Sequence, residues 1–384
     1  MEISIIGAST TKLGELWAVS PRVLARGVVF GAVKDAGIDA GDIQALFVGN
    51  MLSGMLGGQE HLGAFFAEEL GLTHAAAFKI EGACASGSLA IHNAVNSVLS
   101  GQYQTVAVLG VEKMTDHKPE DVATALMGAG SAQERASGCT LPGLYALMAR
   151  AHMHEFGTTE EDMAAVAVKN HYHASLNPNA QFHRPITVEA VLKSHRVADP
   201  LKLLDCSPIS DGAAALIITR KKVNGKRKKE VEIIASTVAT DTLGLSERNS
   251  LTELQATQKA AAVAYTKAGV EVKDIDVVEL HDCFTIAEIM ALEDMGFAIK
   301  GDTAARLKRG EFTLGSATRV VVNPSGGLKG CGHPIGATGV KQVVELVEQL
   351  RGEAGKRQVP GARVGLSHNV GGTGATAVVH ILKN

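Results

Sequence analysis

Apolar residues in this chain of 384 follow two alternating periods, and the alternation is run through twice. In the first half the stretches Ile3 to Ile6, Ala45 to Val48 and Thr105 to Leu109 are short and almost wholly apolar, as strands buried on both faces are. Between them, Pro21 to Gly37, His61 to Leu70 and Gly87 to Leu99 space their apolar residues three and four apart, which predicts helices with one buried face. The second half repeats the order, with Val231 to Ala235, Val277 to Leu280 and Arg363 to Leu366 as strands. Such strands need helices on both faces of their sheets, so the pattern predicts an α/β fold of stacked layers with helices in the middle.

The two halves also hold register residue by residue. Asp35-Ala36-Gly37-Ile38, then Asp42-Ile43 and an apolar run, matches Lys267-Ala268-Gly269-Val270, then Asp274-Ile275 and Val277 to Leu280. Gly212 to Ile217 matches Gly374 to Val379, and Cys84, Gly87 and Val95 match His333, Gly336 and Val344. A thiol and an imidazole thus open equivalent helices, and a pseudo-twofold axis would bring both to one central pocket. Between the helix after Cys84 and the strand at Gly212 the first half carries far more chain than the second. The expected organisation is an N-terminal half of residues 1–112 and 205–225, an inserted loop domain of 113–204 and a C-terminal half of 226–384. The Lys- and Arg-dense stretch Lys221 to Lys229 reads as a solvated connector between halves.

Composition narrows the function classes. With 46% hydrophobic residues the chain can bury a sizeable core, and a net charge of −3 gives no electrostatic reason to bind nucleic acid or an anionic membrane. The apolar runs are short and broken by glycine, so none is expected to span a bilayer. No leader, retention or peroxisomal signal is legible, and five cysteines spread over the chain do not suggest a disulfide framework; a reducing cytoplasm fits best.

Four segments carry candidate chemistry. Cys84 lies between an extended segment, Ala76 to Ile80, and a helix, where N–H groups and the helix dipole are expected to lower its pKa from the usual value of about 8.5. Alone, such a cysteine reads as a small buried hydrophobe, but Ser86 and Gly87 allow a close backbone approach that a core cysteine does not need. His333 sits in a rigid turn between Gly332 and Pro334, and its equivalence to Cys84 makes the pair a nucleophile and base. His281-Asp282-Cys283-Phe284 ends the strand at Val277, where ligand groups of α/β sheets gather. Ser367 to Gly374 is expected to be a glycine-rich turn whose N–H groups face a carbonyl oxygen; with a strand rather than a helix after it, a nucleotide-phosphate reading is weak. Cys331, His333, His281, Cys283 and His368 are all possible metal ligands, but no C-x-x-C pair is present and no metal is expected. His152, His154, His171, His173 and His183 of the insertion are expected to face solvent or a substrate groove, and Met127, Met148 and Met153 to be core.

Together the C-x-S segment at Cys84, the Gly332-His333-Pro334 segment and the doubled halves with their insertion resemble a thiolase over essentially the whole chain. Where many thiolases carry N-E-A-F this chain has His281-Asp282-Cys283-Phe284, and where they carry a C-x-G cysteine it has His368-Asn369-Val370. Those departures resemble the archaeal and sterol-carrier-protein branch. The resemblance implies a five-layered α-β-α-β-α fold and an acetyl-CoA acetyltransferase that joins two acetyl-CoA by Claisen condensation, feeding the mevalonate route. It implies Cys84 as acetylated nucleophile, His333 as its base and Cys283 as Cα base. His281 and His333 would hold the enolate oxygen, the Cys84 and Val370 backbone N–H groups the acetyl carbonyl, and Ser207 the pantetheine of coenzyme A; by itself Ser207 is a turn serine. No cofactor is implied beyond coenzyme A thioesters as substrates. A homodimer or homotetramer is implied, with hydroxymethylglutaryl-CoA synthase reached through a small OB-fold protein as a further partner. The alternatives are a longer-chain thiolase, a decarboxylating ketoacyl synthase using Cys84, His281 and His333, and a non-catalytic coenzyme A-binding scaffold.

Overall fold

The computed structural model describes residues 3–220, 230–316 and 318–384, so the connector expected at Lys221 to Lys229 lies outside the described residues. The strands, in chain order, are β1 (Ser4–Thr10), β2 (Ala45–Gly49), β3 (Ala76–Ile80), β4 (Thr105–Glu112), β5 (Arg196–Ala198), β6 (Leu201–Lys202) and β7 (Gly212–Thr219). They continue with β8 (Val231–Thr240), β9 (Val277–Glu279), β10 (Val321–Val322), β11 (Val364–Gly371) and β12 (Thr376–Lys383). Apart from the β5–β6 ribbon they form one sheet in the order β10-β9-β11-β12-β8-β1-β7-β4-β2-β3.

That order is one five-strand unit used twice. In the first unit β2 runs parallel to β3 and β4, while β4, β7 and β1 are antiparallel neighbours. The second repeats it, with β9 parallel to β10 and β11 and with β11, β12 and β8 antiparallel. Where β1 meets β8 the units touch through only two residue pairs, Ser4 with Glu232 and Ile5 with Val231. The sequence repeats fall on equivalent strands: Ala45 opens β2 and Val277 opens β9, and the Gly212 and Gly374 segments give β7 and β12.

Helices Ser86–Leu99 and Ile335–Arg351 pack against each other between the two units. Pro21–Ala36 and Leu62–Glu69 cover the outer side of the first unit, and Gln255–Ala268 that of the second, which gives the α-β-α-β-α stack. The outer helix at Pro21 starts where the Ser20 hydroxyl accepts from Val23 N and Pro21 fixes the first turn, and it stops at Gly37, which adopts φ 61°. The two central helices approach closely because they meet through glycine. A Cβ on Gly87 would stand 2.7 Å from the Gly336 carbonyl oxygen, and one on Gly336 would stand 2.6 Å from that of Gly49.

The 113–204 segment is mainly helical and packs on the second unit. Its Tyr145, Met148 and Met163 share one core with Ile286, Ile289 and Met290. This contradicts the expectation for three insertion histidines: His152, His171 and His173 are buried. His152 lies between Thr158 and Glu293, and His173 bonds Asn323 O through Nδ1 and Leu314 N through Nε2. The helices Leu141–Phe156 and Glu160–Ser175 look polar in sequence, yet they press that polar face against the second unit, where each imidazole finds a partner. His154 and His183 are exposed; Met127 and Met148 are core, with Met153 against it.

Candidate active site

Cys84 occupies a single 3-10 turn, Ala83–Ala85, that runs into the helix Ser86–Leu99. Ala83 has φ 52°, a conformation that costs a non-glycine residue of the order of 1 kcal/mol. The sharp entry leaves Cys84 lining a cavity of about 190 Å³, together with Cys283, His333, Ser207, Tyr145 and Gly372. Most of the remaining wall is apolar, including Met114, Leu126, Leu141 and Ile335. His281 joins Cys84 and His333 from the side, with one ligating atom of each within 4.8 Å of the others.

The segment after Asp205 ties these loops together. Cys206 bridges to Phe284 and Ile209 to His333, Ser207 N donates to Cys283 O at 2.9 Å, and His333 N donates to Ser210 Oγ at 3.0 Å. Asp282 supplies a second tie. Its carboxylate accepts from Leu328 N, Lys329 N and the Asn170 amide, so the residue beside Cys283 holds the helix Gly327–Cys331 that delivers His333.

Hydrogen bonding gives the two imidazoles opposite tautomers. Thr338 Oγ1 spends its one proton on Pro334 O at 3.0 Å, so at its 2.7 Å contact with His333 it must accept from Nδ1–H. His333 therefore keeps an unprotonated Nε2, a base. The Asn369 amide NH₂ donates to His281 Nδ1 at 2.9 Å, so His281 carries its proton on Nε2, which has no partner among the described residues. One imidazole is set to take a proton and the other to give a hydrogen bond.

Burial keeps all four groups neutral at rest. It pushes the Cys84 thiol up to about 12, against the hydrogen bonds from Gly372 and from its own N–H, and raises Cys283 well above the usual thiol range. It also lowers His333 to about 3, aided by Lys341, and lowers His281, aided by His333. The expected lowering of Cys84 by a helix start is thus overturned. Desolvation of a fully buried thiolate outweighs a helix end, and the proton must be removed by a neighbour.

Two further expectations change. The glycine-rich segment is no free turn from Ser367, because β11 runs on to Gly371 and pairs fully with β12; the chain leaves the sheet at Gly372, with φ 60°. Val370 is consequently held in the ladder opposite Ala377, and the backbone N–H that reaches the Cys84 sulfur belongs to Gly372. The ligand set for a cation differs too: His368 is bonded to Thr257 and Cys331 to Asn177, whereas Cys84, His281 and His333 stand within 4.8 Å of one another. Tyr145, Thr338 and the Asn369 side chain were not singled out from sequence. Thr338 lies one helical turn past the Pro334 cap that follows His333 and could have been found by spacing; Tyr145 comes from the insertion, which gave no signal.

Comparison with known proteins agrees with this architecture. A family model described as "Thiolase, N-terminal domain" matches residues 3–222, and one described as "Thiolase C-terminal domain-like" matches 237–384. The chain is 48% identical over 383 residues to an acetyl-CoA acetyltransferase of Methanothermobacter thermautotrophicus, covering 99% of both. It is 44% identical to one of Methanocaldococcus jannaschii, covering 100% of this chain and 99% of the other. Rat sterol carrier protein 2 is 38% identical over 80% of this chain, which spans 59% of that relative. Among solved structures, an Ltp2–ChsH2(DUF35) aldolase superposes with a TM-score of 0.83 at 24% identity, over 99% of this chain and 97% of the other. An acetyl-CoA acetyltransferase from Syntrophomonas wolfei gives 0.76 at 19%, over 100% and 98%. At those identities the structural likeness is one of fold.

Proposed function

Since the chain belongs to the thiolase family and is an acyltransferase, we propose that it is an acetyl-CoA C-acetyltransferase, joining two acetyl-CoA into acetoacetyl-CoA. The observation that carries this reading is the convergence of two neutral thiols and two imidazoles of opposite tautomer on one pocket. Cys84 passes its proton to His333 Nε2 and attacks the thioester; the proton moves on to the departing sulfur, so coenzyme A leaves as a thiol and His333 is neutral again. The new acyl carbonyl faces the N–H groups of Cys84 and Gly372, donors of a kind worth about 3 kcal/mol of barrier each. In the second half-reaction Cys283 passes its thiol proton to His333 Nε2 across the shared cavity, and the resulting thiolate takes the Cα proton of the next acetyl-CoA while the enolate oxygen accepts from His281 Nε2–H. The carbanion attacks the acetyl group and Cys84 departs with the proton held by His333, which leaves both cysteines as thiols and both imidazoles neutral. Ser207 at the mouth would contact the pantetheine. No cofactor takes part.

A small cavity with apolar walls supports short acyl groups, and the archaeal relatives support acetyl in particular. We place the product at the head of the mevalonate route, in the cytoplasm. No helix among the described residues is long and apolar enough to cross a membrane. Self-association is supported by β3, an end strand of the sheet with half-exposed side chains and Phe78 turned outward. The aldolase of matching fold carries a DUF35 component, which supports a partner protein for this chain; we take that partner to be a small OB-fold protein and place hydroxymethylglutaryl-CoA synthase beyond it.

One observation favours a second reading. Cys84, His281 and His333 form the three-residue set that a decarboxylating synthase uses, and loss of CO₂ needs no Cα base. Cys283→Ala separates the two: thiolysis of acetoacetyl-CoA should vanish while Cys84 still takes acetyl from acetyl-CoA. Thiolysis retained by that variant, or condensation with malonyl-CoA faster than with acetyl-CoA, would remove the thiolase assignment of Cys283. A series of 3-oxoacyl-CoA chain lengths fixes the acyl preference.

A further inference from the structure

Cys283 is asked to work as a thiolate in a place that opposes one. It is buried, and Cys84 and Asp282 both stand near enough to disfavour a negative sulfur. Two donors face it, the N–H of Phe284 and the hydroxyl of Tyr145. Tyr145 comes from the helix Leu141–Phe156 of the 113–204 segment, is 2% exposed, and packs its ring against Phe284 with 4.6 Å between centroids and a 32° tilt. Its hydroxyl donates to Gly372 O at 3.0 Å, and Tyr145, Gly372 and Cys283 line the same cavity, so the phenol is the side-chain donor beside the Cys283 sulfur. The two partners compete for one proton, because a phenol has a single O–H to give.

We propose that Tyr145 is the positioning residue that makes Cys283 usable as a base, its hydroxyl turning from the Gly372 carbonyl to the sulfur as the thiolate forms. While Cys283 is a thiol, the phenol donates to Gly372 O and can accept S–H. Once the sulfur is charged, rotation about the phenol C–O bond gives it a hydrogen bond stronger than the one surrendered. No proton is transferred to or from Tyr145, so the step needs no further reactant. Gly372 also offers its N–H to the Cys84 sulfur, so the same turn senses both cysteines. The phenol thus links the charge on one sulfur to the loop that holds the other.

The inference rests on Cys283 being the Cα base, and its test is independent of turnover. In Tyr145→Phe, iodoacetamide labelling of Cys283, followed by mass spectrometry with Cys84 held as the acetyl form, should need a pH about one to two units higher than in the unaltered protein. Acetoacetyl-CoA thiolysis near pH 7 should fall about 10- to 100-fold, and by at least tenfold more than acetylation of Cys84. An unshifted labelling profile in folded protein would overturn the proposal. If Tyr145→Phe fails to fold, 2,3-difluorotyrosine at position 145 replaces it: a more acidic phenol should move labelling of Cys283 to lower pH, and no movement again overturns it. Should Cys283→Ala retain thiolysis, the base assignment fails, whereas the labelling shift still reports on the hydrogen bond.

Discussion

Replacing Thr338 by valine removes one hydroxyl and nothing of comparable size, and the structure says what that hydroxyl decides. In the unaltered protein it accepts from His333 Nδ1–H at 2.7 Å and donates to Pro334 O at 3.0 Å, which leaves Nε2 as the free base. With valine, the imidazole either keeps an unpaired buried Nδ1–H, at a cost of about 1–3 kcal/mol, or moves its proton to Nε2 and loses its basic atom. Either way the barrier to removing the Cys84 proton rises by about 1–3 kcal/mol, or roughly 5- to 150-fold in rate. The measurement is rapid-quench acetylation of Cys84 by acetyl-CoA in a single turnover. Thr338→Ser, which restores the hydroxyl, should recover most of the rate, whereas a packing defect would persist. Acetylation by Thr338→Val within twofold of the unaltered protein would refute the tautomer argument.

Two predictions concern the frame around the site. Burial alone would raise the Asp211 carboxylate, but the Lys113 ammonium and the Thr115 hydroxyl and N–H, with Met114 N beside them, hold it below the usual carboxylate range. A depressed folded pKa adds stability that is present above the unfolded value near 3.9 and is lost as pH falls through the folded one. Asp211→Asn should therefore cost about 1.5–3 kcal/mol in urea titrations at pH 7 and progressively less below pH 4; a pH-independent difference would contradict it. Gly336→Ala places a Cβ 2.6 Å from a backbone oxygen and should destabilise by about 1–3 kcal/mol or more, with Cys84 acetylation impaired; an unchanged urea midpoint would show that the central helices can part freely.

What the sequence disclosed is uneven in an instructive way. Cys84, His333, Cys283 and His281 were legible because the repeat marks two of them and the end of β9 the other two. Val370 was misplaced by two residues, since nothing in Ser367 to Gly374 says how far a strand keeps its hydrogen bonds before a glycine releases it; β11 does so through Gly371. The thiol of Cys84 was expected to be acidic because a helix start is visible in a sequence and depth of burial is not. The buried histidines were missed for a related reason: polarity of the helices Leu141–Phe156 and Glu160–Ser175 is a local property, but which side meets the second unit is not.

The chain by itself determined the duplication, the layer order and the residue types offered to the candidate pocket, because hydrophobic period, glycine register and residue type are written in consecutive positions. Only the folded molecule decided their condition. Which nitrogen of His333 and His281 holds a proton, which N–H meets the Cys84 sulfur, and that Tyr145 from the insertion stands beside Cys283 all depend on atoms brought together from distant parts of the chain. Protonation state and hydrogen-bond direction are set by desolvation and by the count of donors and acceptors in a shared volume, and that volume exists only after the two halves have closed on it.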